Sequence, residues 1–403
     1  AMVHNIYQES KGFGSKTILT PEQDTALRLE EFMERRYEFR YNTVLNDLEY
    51  RQRNSIHFYF RPVDRRGRNT VAINALKGGI RAWDRDVERY LTSEYVSLYN
   101  PVEEYLCSVG RWDGKDRIRA LADLVPCENP HWRELFYRWF LSMTAHWRGL
   151  DRQHGNSTSP LLVGAQGYRK STFCRILLPP ELRFGYTDSI DFKSKQEAER
   201  SLGRFFLINI DEFDQINANQ QGFLKHLLQK PVANLRKPYG TTIQEMRRYA
   251  SFIGTSNLKD LLTDPSGSRR FICIEVTGPI QTNVTINYHQ LYAQAMHDIM
   301  KGERYWLDDT DEAILKQSNQ EFEQPTPLEQ LFLCHFQAAQ TEDEGTWMTP
   351  MEILSFLQKK TKDRLAINKV AYFGRALRKL GISSRRRNRG TEYHVIINET
   401  AFQ

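Results

Sequence analysis

The chain has 403 residues, of which 40% are hydrophobic, 12% aromatic and 26% charged, which is enough apolar material for two or three folded domains. This composition excludes an intrinsically disordered chain, and the sequence contains no apolar run of about 18 residues that would span a membrane. Lysines and arginines number 56 and acids 50, so the net charge of +6 is mild and local clusters matter more than the sum.

The cysteines argue against a zinc site or a disulfide framework. They are odd in number, widely scattered and without a C-x-x-C pair: Cys107, Cys127, Cys174, Cys273 and Cys334. Reduced thiols are typical of a cytoplasmic protein, and the first residues carry no secretion signal. Ala1 and Met2 are typical of a cloning remnant, so we expect the natural chain to extend further upstream.

The first part of the chain reads as a leader, residues 1–19, followed by a mainly helical N-terminal domain, residues 20–150. Thr20 before Pro21 predicts a helix start, because threonine caps helices and proline suits the first helical position. Aromatic residues recur at three- and four-residue spacing in 132–150, which indicates a packed helix face rather than a ligand site.

Residues 151–323 have a different pattern, predicted as one domain. Four short apolar runs lie at 160–163, 204–210, 249–254 and 270–276, with helical stretches between them. This alternation predicts an α/β fold with a parallel sheet covered on both faces. Polar residues follow three of these runs, and ligands bind at the carboxyl edge of such sheets.

Residues 324–403 are predicted to form a C-terminal winged-helix-like domain. Pro350 starts one helix, and a second would end at Gly381. A strand pair with a basic tip follows, over 385–397, which completes the order of a winged helix.

The strongest motif is a phosphate-loop candidate that directly follows the first apolar run. Glycines let backbone N–H groups surround a triphosphate, and the following helix adds its positive end. Lys170 would reach the β- and γ-phosphates of ATP, and Ser171 would bind Mg²⁺. The residues expected to bind the nucleotide are Gly164, Ala165, Gln166, Gly167, Tyr168, Arg169, Lys170, Ser171 and Thr172.

Arg169 departs from the usual G-x-x-x-x-G-K-[ST] pattern, which has glycine before the lysine. Arginine would be strained there if the turn requires a positive φ. Alternatively, the loop turns at Gly167 and Arg169 points outward. An ordinary glycine-containing turn is the rival interpretation of this segment.

Three further sets of candidate residues lie directly before or after the predicted strands. Asp211 would hold Mg²⁺, and Glu212 would polarise the water that attacks the γ-phosphate. Asn257 could donate its amide to that phosphate or water. Arg269 and Arg270 are candidates for the arginine that stabilises transition-state charge; the sequence does not decide which one serves, or in which subunit.

Taken in order, these features resemble the AAA+ core of superfamily 3 helicases, and residues from about 37 to 300 resemble the virulence-associated protein E family of phages and mobile elements. The stretches that carry this resemblance are Tyr37–Asn42, Asn100–Pro101, Tyr105–Leu106, Trp112–Gly114, Gly164–Thr172, Asp211–Phe213, Tyr239–Gly240, Gly254–Asn257 and Arg269–Phe271. The resemblance implies an AAA+-like P-loop fold, a homo-oligomeric ring such as a hexamer, an arginine acting on the neighbouring subunit, and an upstream or partner primase domain.

The family also implies a hairpin before the third strand that touches nucleic acid. Its candidates here are Arg236, Lys237 and Tyr239, with Arg247 and Arg248 following; cations suit phosphates and an aromatic ring suits base stacking. A solvated basic hairpin is the alternative.

A second basic cluster lies in the C-terminal domain. Nine cations and no acid occur between residues 364 and 389, among them Arg385, Arg386 and Arg387. Such a surface should bind DNA with steep salt dependence, while an acidic protein partner is the rival.

The sequence therefore predicts a cytoplasmic, magnesium-dependent ATPase that acts on single-stranded or forked DNA as a helicase of a mobile element. Two alternatives remain open: a DNA-binding scaffold with a degenerate nucleotide fold, and a nucleotide-switched regulator. No catalytic acid cluster for polymerisation is evident in residues 1–150, so primase activity is not predicted.

Overall fold

In the computed structural model, the polypeptide folds around several apolar cores arranged along the chain. The residues described are 19–150, 155–236, 243–263, 265–325, 327–339, 341, 344–361, 370–387 and 390–398. One core occupies residues 29–96, two more lie on the two faces of a central sheet, and a fourth occupies residues 332–395. Within the described ranges, no helix is both long enough and apolar enough to cross a membrane.

The N-terminal module combines three helices with a four-stranded sheet in the order β3-β2-β1-β4. Its elements are α1 (Pro21–Arg36), β1 (Tyr37–Asn42), β2 (Asp47–Gln52), β3 (Arg61–Pro62), α2 (Arg65–Lys77), α3 (Asp84–Leu91) and β4 (Ser97–Tyr99). Thr20 and Gln23 form a reciprocal capping box, which confirms the predicted helix start. The mainly helical prediction missed the sheet, although the alternation of aromatic and charged residues in Tyr37–Asn42 is the pattern of a half-buried strand.

Three helices after this module pack on the central sheet rather than on the N-terminal core. They are α4 (Pro101–Ser108), α5 (Arg117–Ala122) and α6 (Trp132–Arg148). The aromatic side chains of α6 are buried around most of its circumference, in one core with Phe173, Leu207 and Ile253. The apolar core therefore crosses the domain boundary that the sequence predicts at residue 150.

The central sheet has five parallel strands in the order β11-β5-β10-β7-β6. They are β5 (Ser159–Val163), β6 (Tyr186–Thr187), β7 (Leu207–Ile210), β10 (Ser251–Ser256) and β11 (Phe271–Glu275). The four predicted apolar runs are confirmed as parallel strands, and the added edge strand β6 is too short to leave a sequence signal. The helices that connect and flank them are α7 (Lys170–Ile176), α8 (Lys195–Arg204), α9 (Ala218–Gln229), α10 (Tyr288–Met300) and α11 (Asp309–Ser318).

Two smaller antiparallel units complete the chain. An antiparallel pair, β8 (Val232–Arg236) and β9 (Ile243–Arg247), leads into β10. The C-terminal unit consists of α12 (Pro327–His335), β12 (Phe336–Ala338), β13 (Thr346–Met348), α13 (Pro350–Thr361), α14 (Val370–Lys379), β14 (Ser384–Arg387) and β15 (Gly390–Ile397). The predicted helix at Pro350 and the predicted strand pair are present. Gly381, with a left-handed φ of 73°, follows the end of α14.

Candidate active site

The loop between β5 and α7 turns at two positions. Gly167 has a φ of 86°, and Arg169, directly before the helix, has a φ of 61°. Both alternatives from the sequence are therefore realised, because the loop turns at Gly167 and also holds an arginine in the left-handed region. Such a conformation costs a non-glycine residue roughly 1 kcal/mol or more. Gly164 is required by close packing, since a Cβ there would lie 2.8 Å from the carbonyl oxygen of Val276.

Lys170, the first residue of α7, is buried and points back into this loop. Its ammonium donates to the carbonyl oxygens of Gly164 (2.6 Å) and Ala165 (2.9 Å) and to Oδ1 of Asn257 (3.0 Å). Burial lowers the pKa of Lys170, while the carboxylates of Asp211 and Asp214 oppose that shift. The lysine thus lies between the loop and the ends of two neighbouring strands.

Asp211 lies at the carboxyl end of β7 and joins the loop to the third strand. Its Oδ1 accepts from the hydroxyl of Ser171 at 2.9 Å and from the hydroxyl of Thr255. These groups meet because adjacent parallel strands end at the same edge of the sheet. One carboxylate and two hydroxyls are hard oxygen donors of the kind Mg²⁺ prefers.

Asp214 is a second carboxylate of the site that sequence reasoning did not assign. Its Oδ1 accepts from the hydroxyl of Ser256 (2.8 Å) and the backbone N–H of Asn257 (3.3 Å). It therefore fixes the loop that carries Asn257. The available signal was its position three residues after Asp211, in the sequence DEFD.

Glu212 occupies the turn after β7 with a left-handed backbone, φ 51° and ψ 52°. Its side chain is exposed and lines the same cavity as Lys170 and Asp211. The carboxylate of Asp211 accepts from Ser171, whereas the exposed carboxylate of Glu212 is open to solvent at the same cavity.

A cavity of about 380 Å³ lies between these elements. It is lined by residues 166–172, by Asp211 and Glu212, and by residues 255–257. The lining fits a polyphosphate with one divalent ion, since it offers a glycine turn, a helix N-terminus, a lysine and a carboxylate with hydroxyls. Among the described residues, no three histidine, cysteine or acidic side chains cluster for a metal held by protein alone, so phosphate oxygens or water would complete the coordination.

Arg269 and Arg270 lie at the opposite edge of the sheet from this cavity. They precede β11, whose first residue, Phe271, aligns with Ser159 at the start of β5, whereas the phosphate-loop candidate follows the end of β5. The two edges are separated by about 13 Å of strand. Arg269 forms an ion pair with Glu312 of α11 at 2.6 Å.

The nucleic-acid candidates around the β8–β9 pair have different outcomes. Lys237 and Tyr239 lie outside the described residues, and Arg236 ends β8. Arg247 is partly buried and donates to the carbonyl oxygens of His146 and Trp147. The prediction that Arg248 contacts nucleic acid is wrong, because its side chain is completely buried and donates to backbone carbonyl groups.

The C-terminal arginines lie on strand β14. Arg386 and Arg387 are exposed, as a nucleic-acid contact requires. Arg385 is half-buried, forms an ion pair with Glu392 at 2.8 Å, and lies 4.1 Å from the ring centroid of Trp347. Arg385 therefore has a structural role in the small sheet, while its two neighbours face solvent.

The fold and site define an α/β protein whose parallel sheet gathers a lysine, carboxylates and hydroxyls at its carboxyl edge. A family profile described as the virulence-associated protein E-like domain matches residues 106–324, and the chain belongs to that family. The resemblance to that family seen in the sequence is thereby confirmed. Residues 325–395 match a second profile, a domain of unknown function described from B. theta (DUF3874).

Comparison with solved structures gives distant neighbours. One is titled the apo structure of the NrS-1 C-terminal region (305–718), with 9% identity and a TM-score of 0.46, covering 93% of this chain and 100% of that one. Another, the A form of the same apo region, has 10% identity and a TM-score of 0.45, covering 93% and 99%. No curated protein matches the chain significantly.

Proposed function

We propose that this protein is a magnesium-dependent ATPase with an AAA+-like P-loop core, working in an oligomer on DNA. The observation that carries the proposal is the meeting of Lys170, Ser171 and Asp211 at one cavity, where the hydroxyl of Ser171 donates to Asp211 although 40 residues separate them in sequence. A structural turn would not need a buried lysine there, since burial of an ammonium group is costly.

Each residue would contribute through its own chemistry. Lys170 would exchange the carbonyl groups of Gly164 and Ala165 for phosphate oxygens, which are better partners because they are charged. Ser171 and Asp211 would hold Mg²⁺, which, when bound, neutralises charge on the transferring phosphoryl group.

Glu212 is the proposed general base, since its carboxylate lines the cavity and is exposed to water. Asn257 is the proposed sensor of the γ-phosphate. The side-chain oxygen of Asn257 accepts from Lys170, and its backbone N–H donates to Asp214. A nucleotide that draws Lys170 towards its phosphates would break the first of these hydrogen bonds, so Asn257 would sense its arrival.

The position of the arginines supports the proposal of an oligomer. Arg269 and Arg270 lie about a strand length from the cavity of their own chain, so they could reach only a cavity of a neighbouring chain. A ring that places the amino edge of one sheet against the carboxyl edge of the next would complete each site. A hexamer is the ring size included in this proposal.

Contact with DNA is proposed for residues 236–239, in the sequence that connects β8 and β9, and for the strand β14. Arg386 and Arg387 are exposed on β14, which fits a winged-helix unit whose wing lies along phosphates. Translocation on single-stranded or forked DNA, as a helicase of a mobile element, is the activity we favour for this combination.

A DNA-binding scaffold without hydrolysis is the second candidate. It is favoured by Arg169 in a left-handed conformation and by Lys170, whose three hydrogen bonds all go to its own chain. Such a lysine could serve to close the loop rather than to bind phosphate.

The test is ATP hydrolysis with and without single-stranded DNA, with particle mass measured in parallel. We expect hydrolysis by the natural chain, none by Lys170→Ala, and nucleotide binding without hydrolysis by Glu212→Gln. Glu181→Gln, an exposed acid of the same sheet region, is the matched control and should keep full activity. Equal hydrolysis by Lys170→Ala and the natural chain would contradict the proposal.

A further inference from the structure

The N-terminal module exposes an unusual set of side chains in the connection between β2 and β3. We name residues 54–60 the aromatic loop. Ile56, Phe58 and Tyr59 are 86%, 77% and 65% exposed. Scattered apolar residues on a surface are ordinary, but three large ones within four positions form a patch of the kind that marks an interaction site.

The aromatic loop is held in place from beneath. The ring of Phe60 lies under the guanidinium groups of Arg40 and Arg51, at 3.7 and 4.7 Å from the ring centroid. Arg51 also donates to the carbonyl oxygen of Phe58 at 3.2 Å. Asn54 makes the turn with a φ of 59°. The outward side chains of the loop are therefore presented on a fixed backbone, which lowers the entropy cost of binding.

The surroundings of the loop carry an excess of positive charge. Six arginines and one acid, Asp64, occur in residues 51–68, and Asp64 is engaged as the N-cap of α2. Glu38 pairs with Arg51 and Arg53, and Glu88 pairs with Arg68. Within the described part of the chain, Arg61, Arg65 and Arg66 form no ion pair. Two of these arginines lie in the first turn of α2, where cations oppose the helix dipole. Helix stability therefore does not explain them.

We propose that the aromatic loop, with Arg61, Arg65 and Arg66, binds single-stranded nucleic acid. Phe58 and Tyr59 would stack on bases, and the arginines would neutralise phosphates. Phe58 and Arg66 are eight residues apart, so all these groups lie within about 28 Å of chain at most and could contact neighbouring nucleotides.

Charge argues for this occupant over a second copy of the same surface. Two such patches brought together would oppose arginine to arginine, whereas a nucleic-acid strand supplies both π-faces and anions. The surface belongs to a module with its own core, residues 29–96, and is separate from the ATP cavity and from strand β14. Binding of nucleic acid at this surface requires no ATP, so this inference goes beyond the proposed function.

The test combines affinity with mapping of the contact. The full chain is titrated with fluorescent oligothymidine of about 20 nucleotides, and a bromouracil-substituted strand is cross-linked by ultraviolet light and mapped by mass spectrometry. We expect cross-links within residues 53–61. Phe58→Ala/Tyr59→Ala should weaken binding about tenfold or more, and Phe58→Tyr/Tyr59→Phe should restore it. Trp83→Ala, a 70% exposed aromatic elsewhere in the module, is the matched control.

Salt dependence provides a second readout. Arg65→Gln/Arg66→Gln should reduce the slope of log affinity against log salt by about 1.4, or about 0.7 per phosphate lost. Lys170→Ala should leave cross-linking in the aromatic loop unchanged. A failed test of the ATPase proposal can therefore be told apart from a failed test of nucleic-acid binding by the loop. The inference would be overturned by cross-links confined to other segments or by unchanged affinity of Phe58→Ala/Tyr59→Ala. It would also be overturned if that variant lost oligomer mass while it kept its DNA affinity.

Discussion

Arg248 offers a quantitative test of how the central sheet is held together. Its guanidinium donates to the carbonyl oxygens of Leu228 and Lys230 at the end of α9, of Ala250 before β10, and of Asn156 before β5, at 2.8–3.0 Å. One side chain therefore ties together a helix end and the approaches to two strands.

Replacement of Arg248 by methionine keeps much of the volume but leaves these buried carbonyl groups without their donor. Each buried carbonyl group left without its donor costs about 1–3 kcal/mol, and removal of the buried charge offsets part of the sum, so we expect a net cost of about 3–5 kcal/mol. For a domain of this size each kcal/mol shifts the unfolding midpoint by about 2–4 °C, so we expect a loss of about 10 °C.

The assay is thermal unfolding beside DNA affinity, with Arg386→Met as the matched control. Arg386 is exposed on β14, so its loss should change stability by less than about 0.5 kcal/mol while weakening DNA binding. Arg248→Met should lower the midpoint and leave the affinity of the folded fraction unchanged. The reasoning is refuted if Arg248→Met unfolds at the natural temperature and binds DNA less well.

Three further predictions concern the site and its surroundings. Arg169→Gly should change unfolding free energy by less than about 1 kcal/mol, because relief of the left-handed strain is offset by the entropy of glycine; a loss above 2 kcal/mol in denaturant titration would show that the arginine has a packing role. Burial lowers the pKa of His146 well below 6.5, so below that pH the unfolded state binds a proton that the folded state does not. The contribution of His146 to stability should be complete above pH 6.5, and the free energy of unfolding should fall by about 1.4 kcal/mol per pH unit below it. His146→Gln should flatten that decline in thermal scans. Mixed Lys170→Ala and Arg270→Ala chains should regain about a quarter of the natural ATPase rate if the arginine serves a neighbouring site; a mixture as inactive as each variant alone would exclude Arg270 from that role.

The sequence was most informative where local chemistry decides the structure. Thr20 and Pro21 start a helix through capping, and short apolar runs with helical stretches between them indicate buried parallel strands; both predictions are confirmed. The grouping of residues after β5, β7 and β10 at one sheet edge could also be predicted, because parallel strands share their carboxyl edge.

The remainder depends on tertiary contacts that no local pattern encodes. Arg247 and Arg248 are adjacent cations in sequence, yet one is partly buried against α6 and the other completely buried beneath the sheet. Asp214 gives no sign of its partner Asn257, 43 residues away. Residues 58–60 are three consecutive aromatic residues, and only the fold shows that Phe60 is packed and Phe58 exposed.

The most direct test of the central claim is a binding titration of a fluorescent, non-hydrolysable ATP analogue with and without Mg²⁺. The natural chain should bind the analogue more tightly with the ion, Asp211→Asn should lose that dependence, and Lys170→Ala should lose binding altogether, while Glu181→Gln should behave as the natural chain. Binding of equal strength by the natural chain and by Lys170→Ala, with no response to Mg²⁺, would contradict the assignment of this cavity to a nucleotide.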